Sequence, residues 1–238
     1  MTEYAVFVES GPKRRKTMVH VMDLLGCVAN GPTTAEALEA TPAAIRKFLD
    51  MLMRHGDDVD PGVEITIAIA AHMMEGSWIG QGDPIAGFAT DFVPLTRAEL
   101  EPFRTRLGWL HEEFLALIDR VPAELMPVKP EVGRDIYDII RHTAASHGVY
   151  LRQIVGKVEG LNAAYKPIEQ GTDDLPAALT RYWAVMDARL AALTDDELTG
   201  QFRHGQLIWT ARRGIRRMLE HEWEHMMEIE ARLGASGQ

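Results

Sequence analysis

The spacing of apolar residues changes period near residue 95. Before that point residues 3–10 and 17–24 alternate or run apolar with Val, Tyr and Phe, which predicts two strands. Gly11-Pro12 and the basic run Lys13-Arg14-Arg15-Lys16 between them suit a solvated hairpin tip. Thr33-Thr34-Ala35-Glu36 then offers a capping box. Ala37, Leu38, Ile45, Leu49 and Leu52 supply an apolar helix face that Gly56 ends. Residues 63–74, rich in Ile and Val, predict a further strand, so the first part reads as a small α+β unit. After a stretch of linker composition over 76–96, with Gly76, Gly80, Gly82, Pro84, Gly87 and Pro94, the period becomes helical. Residues 96–120 place Leu100, Phe103, Leu107, Leu110, Phe114, Leu117 and Ile118 at helical steps before Val121-Pro122. Further helices are predicted over 133–151, over 174–193 with Leu179, Trp183, Met186 and Leu190, and over 209–233. The short connection around Pro127 and Pro130 makes the first two of these antiparallel neighbours, as in an all-α helical bundle. The expected domains are residues 1–94 and 95–238.

Composition narrows the class. With 46% hydrophobic and 25% charged residues the chain has the make-up of an ordinary globular protein with a real core. The net charge is −10 and neither part is basic, which disfavours nucleic acid as the main partner, because such binding leans on Lys and Arg. The longest apolar run, near residues 65–71, is too short to span a bilayer. Glu3 and Glu9 stand where a secretory signal would be basic and then apolar, so the expected location is cytoplasmic, with no membrane partner. Cys27 is the single cysteine, expected as a small buried hydrophobe.

The candidate chemistry lies in the last helix. His221 and His225 are spaced i, i+4 on the stripe Ile215, Met218, His221, His225, Ile229, which points two imidazoles one way from adjacent turns, as a single divalent metal requires. The same residues spell H-E-x-x-H, in which Glu222 would be the general base of a zincin metalloprotease. A metzincin needs Gly and His where Glu228 and Ala231 stand, so the third ligand is expected from upstream. That arrangement is normal for facing helices of a bundle. Two histidines of the second helix compete for the role. Periodicity favours His147, on the stripe of Ile136, Ile140, Ala144, Leu151 and Ile154, over His142 beside Ile139, Ser146 and Val149. Lying five residues apart, the two side chains diverge by about 140° and cannot easily share one ion. Among Arg212, Arg213, Arg216 and Arg217, Arg217 shares a face with His221 and is the candidate for an anionic substrate. Glu220 and Glu224 are expected to pair with arginines at the surface, and Glu222 and Glu224 flank the histidines as supporting groups.

Two resemblances add to this reading. The order Asp138-Ile139-Ile140-Arg141-His142-Thr143-Ala144-Ala145, then a third helix, then Arg216-Arg217-Met218-Leu219-Glu220-His221 with His225 four residues on, resembles the DinB-like superfamily over about residues 95–234. The resemblance implies a four-helix bundle with three metal-binding histidines, and matched residue by residue these are His142, His221 and His225. In the first part, Asp23-Leu24-Leu25-Gly26-Cys27, Gly31 and Thr33-Thr34-Ala35-Glu36-Ala37 resemble the HicB-like fold of toxin-partner antitoxins over about residues 1–75. There these glycines serve a turn and the threonine caps the helix.

Three neutral histidines leave a divalent ion with open positions, the layout of a catalytic site and not of a closed structural one. Zinc or nickel is the expected metal, one ion per chain. The DinB-like resemblance implies a transferase that uses a low-molecular-weight thiol on a small-molecule substrate. The rival expectation is a non-catalytic metal-binding sensor, in which the HicB-like part recruits a protein partner; a metalloprotease comes third. A homodimer is expected. No catalytic residue is assigned from the sequence.

Overall fold

The structure is a computed structural model and describes residues 1–76, 79–80, 82, 87–172 and 174–236. The chain divides into two compact units, Met1–Val93 with Arg203–Trp209, and Pro94–Phe202 with Thr210–Gln238. The first is α+β and the second helical.

In the first unit β1 (Thr2–Ser10), β2 (Arg15–Val21), β3 (Val28–Thr33) and β4 (Ile65–Met73) form a sheet in the order β3-β2-β1-β4. The β1–β2 and β2–β3 pairs are antiparallel, and β1–β4 is parallel. The basic run is split between the turn and the start of β2: Pro12–Arg14 make a tight turn in which Lys13 takes a positive φ of 58°, and Arg15 and Lys16 already belong to β2. The second strand is shorter than its apolar pattern predicts: Met22–Leu24 turn away as a 3-10 helix, and Gly26, at φ 106°, helps the chain reverse into β3. The sequence pattern does not predict β3, because its Asn30-Gly31-Pro32 reads as a turn. Pro32 is tolerated because β3 is an edge strand. The capping residue behaves as expected. Thr33 accepts from the Glu36 amide, and its hydroxyl donates to the Glu36 carboxylate at 2.6 Å, opening α1 (Thr34–Arg54). Helix α1 buries Ala37, Ile45, Phe48, Leu49 and Leu52, and Cys27 is a buried free thiol. Of the glycine-rich stretch, Pro84 and its neighbours lie outside the described residues, whereas Ala89–Phe92 form a 3-10 turn.

The second unit holds α2 (Arg97–Asp119), α3 (Ile136–Val155), α4 (Leu161–Gln170), α5 (Leu175–Ala191), α6 (Asp195–Thr199) and α7 (Ala211–Ser236). Each of the four predicted helices has a counterpart in α2, α3, α5 and α7; α4 and α6 are additions. Thr96, Asp135 and Asp174 cap α2, α3 and α5 through side-chain oxygens that accept backbone amides three residues on. The hairpin of β5 (Phe202–His204) and β6 (Leu207–Trp209), turning at Gly205, is likewise absent from the sequence pattern, since its strands are too short to show a period.

Helix α7 packs on α2 and α3, and α5 packs on α2 and α4. Close approach of α3 and α7 depends on Gly214: a Cβ there would lie 2.3 Å from Ile154 Cδ1. Helix α3 meets α5 in the same way at Gly148, where a Cβ would come within 2.5 Å of the Tyr182 hydroxyl, which itself donates to the Ala144 carbonyl at 2.7 Å. Helix α7 departs from a simple amphipathic pattern. Besides Ile215, Met218, Leu219 and Ile229 it buries Arg213, Arg216, Arg217, Glu220, His221, Glu222 and His225. Arg216 and Glu220 pair at 2.6 Å with side chains 1% and 2% exposed, which corrects the expected surface pairing to a buried one. A helix carrying that much buried polarity near its middle marks the place to look for function.

Candidate metal centre

Helix α3 contributes His142, and α7 contributes His221 and His225 one turn apart. One ligand nitrogen of each lies within 4.8 Å of the others. The ring centroids are 4.8 Å apart for His142–His221, 5.1 Å for His142–His225 and 4.5 Å for His221–His225. His142 is half-buried and the other two are buried. Both nitrogens of His221 and Nε2 of His225 are buried without a hydrogen-bond partner among the described residues. Buried imidazole nitrogens left unpaired are costly, and a shared cation is one partner that satisfies three rings at once.

The electrostatics favour the ligand form. Burial chiefly, then the His225 and Arg134 charges, hold His142 down to about 4 although Glu228 opposes them. Burial also pushes His221 well below the ordinary histidine range, with His225, Arg217, His147 and His142 adding to the effect. Neutral imidazole, the form that binds metal, is thus present at neutral pH. Outside the ring of three, Glu228 Oε2 lies 2.8 Å from His225 Nδ1, and Arg232 Nη2 holds the other carboxylate oxygen at 2.6 Å. Sequence reasoning looks for such a supporting carboxylate at Glu222 or Glu224. The i, i+3 spacing of His225 and Glu228 is the signal that points to it.

Arg217 lies beside this centre, buried, with its guanidinium 5.7 Å from the Tyr150 ring centroid and Nη1 3.1 Å from Glu220 Oε2. Tyr150 in turn faces His221 edge-on, with centroids 5.9 Å apart.

The structure separates His147 from His142. His147 is fully buried and belongs to a second cluster with His111 of α2 and Glu222 of α7, whose ligand atoms also lie within 4.8 Å of one another. His111 Nε2 is 3.3 Å and His147 Nε2 3.8 Å from Glu222 Oε2. His111 also stacks on Trp183, with centroids 4.1 Å apart and planes at 8°. Burial pushes His111 down to about 3 and His147 to about 4, and lifts Glu222 to about 8. The central glutamate of H-E-x-x-H is therefore turned toward His111 and His147. Sequence reasoning passes over His111, although it occupies the apolar stripe of Leu107, Phe114 and Ile118.

A family model for the DinB superfamily matches residues 106–229, which include all six of these residues. The chain belongs to the DinB superfamily, whose members generally bind a metal. Neither a curated protein nor a solved structure matches the chain.

Proposed function

We propose that the protein is a metal-dependent enzyme in which His142, His221 and His225 hold one divalent ion, zinc or nickel, and that it is a transferase using a low-molecular-weight thiol. The observation that carries this reading is the convergence of three imidazoles with buried, unpartnered nitrogens in a superfamily whose members generally bind metal. Three neutral nitrogen ligands leave coordination positions open, and a divalent ion so held keeps a thiol ionised at neutral pH. The chain's own residues orient and enclose. Glu228 fixes the His225 ring, Tyr150 packs against His221, and Arg217 supplies a buried cation for an anionic group of the substrate. In this reading α2, α3, α5 and α7 are the four-helix bundle, residues 95–238 the catalytic domain and 1–94 a HicB-like domain. The Thr33 cap of α1 supports the last assignment. A cytoplasmic location belongs to the same proposal. No helix among the described residues is long and apolar enough to cross a membrane. Exposed Val128, Val132 and Tyr137 offer apolar surface for a homodimer, whose mass light scattering would measure.

The test is a panel of electrophiles and low-molecular-weight thiols offered to the metal-loaded protein. Thiol-dependent consumption of an electrophile is expected, lost in His142→Ala and lowered through KM in Arg217→Gln. The sensor reading is favoured by the 93 residues that precede the family match's unit. Metal bound at His142, His221 and His225 with no thiol-dependent turnover across the panel would decide for it.

A further inference from the structure

We propose that the protein holds a second divalent cation, bound by His111, His147 and Glu222. The site is distinct from the three-histidine centre and uses other residues of the same helices α3 and α7. The cluster lies inside the helical unit: His147 and Glu222 are fully buried, and the His111 side chain is only 13% exposed. His111 Nε2 and both carboxylate oxygens of Glu222 have no hydrogen-bond partner among the described residues, and His147 has the Met218 backbone beside it, a contact that occupies at most one of its two nitrogens. A buried carboxylate without any hydrogen bond is among the costliest groups a fold can carry, and it is ordinarily found paired or coordinating a metal.

The distances discriminate between the occupants of that space. A direct nitrogen–oxygen hydrogen bond would bring the atoms to about 2.7–3.2 Å. Ligand atoms around a tetrahedral zinc with bonds of about 2.05 Å stand about 3.3 Å from one another. The observed separations, 3.3 Å from His111 Nε2 and 3.8 Å from His147 Nε2 to the same Glu222 oxygen, sit at and just beyond the spacing of co-ligands. The two nitrogens converge on one oxygen from two different helices. Two imidazoles and a carboxylate form a donor set used for zinc and for ferrous iron, with at least one position left for water or substrate.

Helix geometry explains how one pair of helices serves two sites. His142 and His147 diverge by about 140° around α3, and Glu222 is turned by about 100° from His221 on α7, so each helix presents ligands on two faces. The side chains that periodicity makes rivals for one ion are thereby assigned to two. His111 completes the second site from α2, and its stacking on Trp183 fixes the ring plane.

The experiment is metal stoichiometry on the full chain, stripped with chelator and reloaded with zinc in the presence of a weak competing chelator. Wild type is expected to retain two zinc ions per chain. His147→Gln and His142→Gln should each retain one, and the double variant none. His111→Gln, altering the ring nearest solvent, repeats the loss of one ion should His147→Gln not fold, as judged by circular dichroism. A second readout is cobalt, whose binding beside Trp183 should quench indole fluorescence in wild type and in His142→Gln but less in His111→Gln. One zinc in wild type, lost in His142→Gln and kept in His147→Gln, overturns the second site and leaves the three-histidine reading standing. The reverse pattern keeps the second site and overturns the first, and no zinc in wild type overturns both.

Discussion

Glu228 fixes one nitrogen of His225, whereas both nitrogens of His221 face no hydrogen-bond partner among the described residues. With Nδ1–H donated to Glu228, the lone pair of His225 is presented at Nε2, the unpartnered nitrogen, so a ligating tautomer is set before any ion arrives. Glu228→Ala should therefore weaken metal binding at the three-histidine centre by about 10–100-fold while the stoichiometry at saturation stays the same. Competition against a chromophoric chelator measures this, and an affinity equal to wild type would show that the Glu228 contact orients nothing. Further toward the start of α7, Glu220 acts differently, because its Oε2 meets both Arg216 and Arg217 in a buried setting. Removing a carboxylate shared by two buried guanidinia takes a charge-assisted hydrogen bond from each, and Glu220→Ala should cost about 1–3 kcal/mol in urea unfolding. A loss under about 1 kcal/mol would mean that other partners carry those charges.

The contact of α3 with α7 sets the distance between His142 and the pair on α7. That contact runs through Gly214, where a Cβ would meet Ile154 at 2.3 Å. Gly214→Ala should push the helices apart, costing about 1–3 kcal/mol of stability from overpacking. It should also weaken metal binding, because the ligands are split across the displaced elements. Retained affinity in a destabilised variant would show that the ligand geometry tolerates the shift. This dependence is only partly legible in the sequence. The i, i+4 spacing of His221 and His225 names one side of the centre from α7 alone. Periodicity on α3 points to His147 because it measures burial, and His147 is indeed the more buried histidine. Burial does not say which cluster a buried side chain joins; that is set by the rotation of α3 against α2 and α7, which no single helix encodes. His111 is hidden for the same reason. Strand β3 and the hairpin of β5 and β6 escape because turn residues or short length hide the period.

At the scale of the whole molecule the buried titrating groups oppose one another, and their signs can be read out separately in metal-free protein. His142 and His147 at about 4, His111 at about 3 and His221, well lowered, all bind protons more readily once unfolded. Their contribution is complete above the unfolded value near 6.5 and is lost as pH falls from there toward the folded values. Each histidine accounts for up to about 1.4 kcal/mol per pH unit in that interval. Glu222 has the opposite sign. Its folded value is raised to about 8, so its contribution is complete below the unfolded value near 4.5 and is lost as pH rises through 8. Four groups against one make the stripped protein lose stability from pH 6.5 down to 5, a window above the range in which the lowered Glu99 and Glu228 carboxylates titrate. Between pH 6.5 and 8 Glu222 dominates among these groups, so stability should decline again and the profile should peak near neutrality. Urea midpoints across pH 5–8 test both limbs. Glu222→Gln should flatten the alkaline limb and steepen the acid limb by about a third, because glutamine does not titrate and the four histidines are then unopposed. Zinc should flatten the alkaline limb in wild type as well, since ligation to His111, His147 and Glu222 keeps the carboxylate ionised throughout. An alkaline limb of equal slope in stripped wild type and in Glu222→Gln would mean that this carboxylate is already ionised in the metal-free fold.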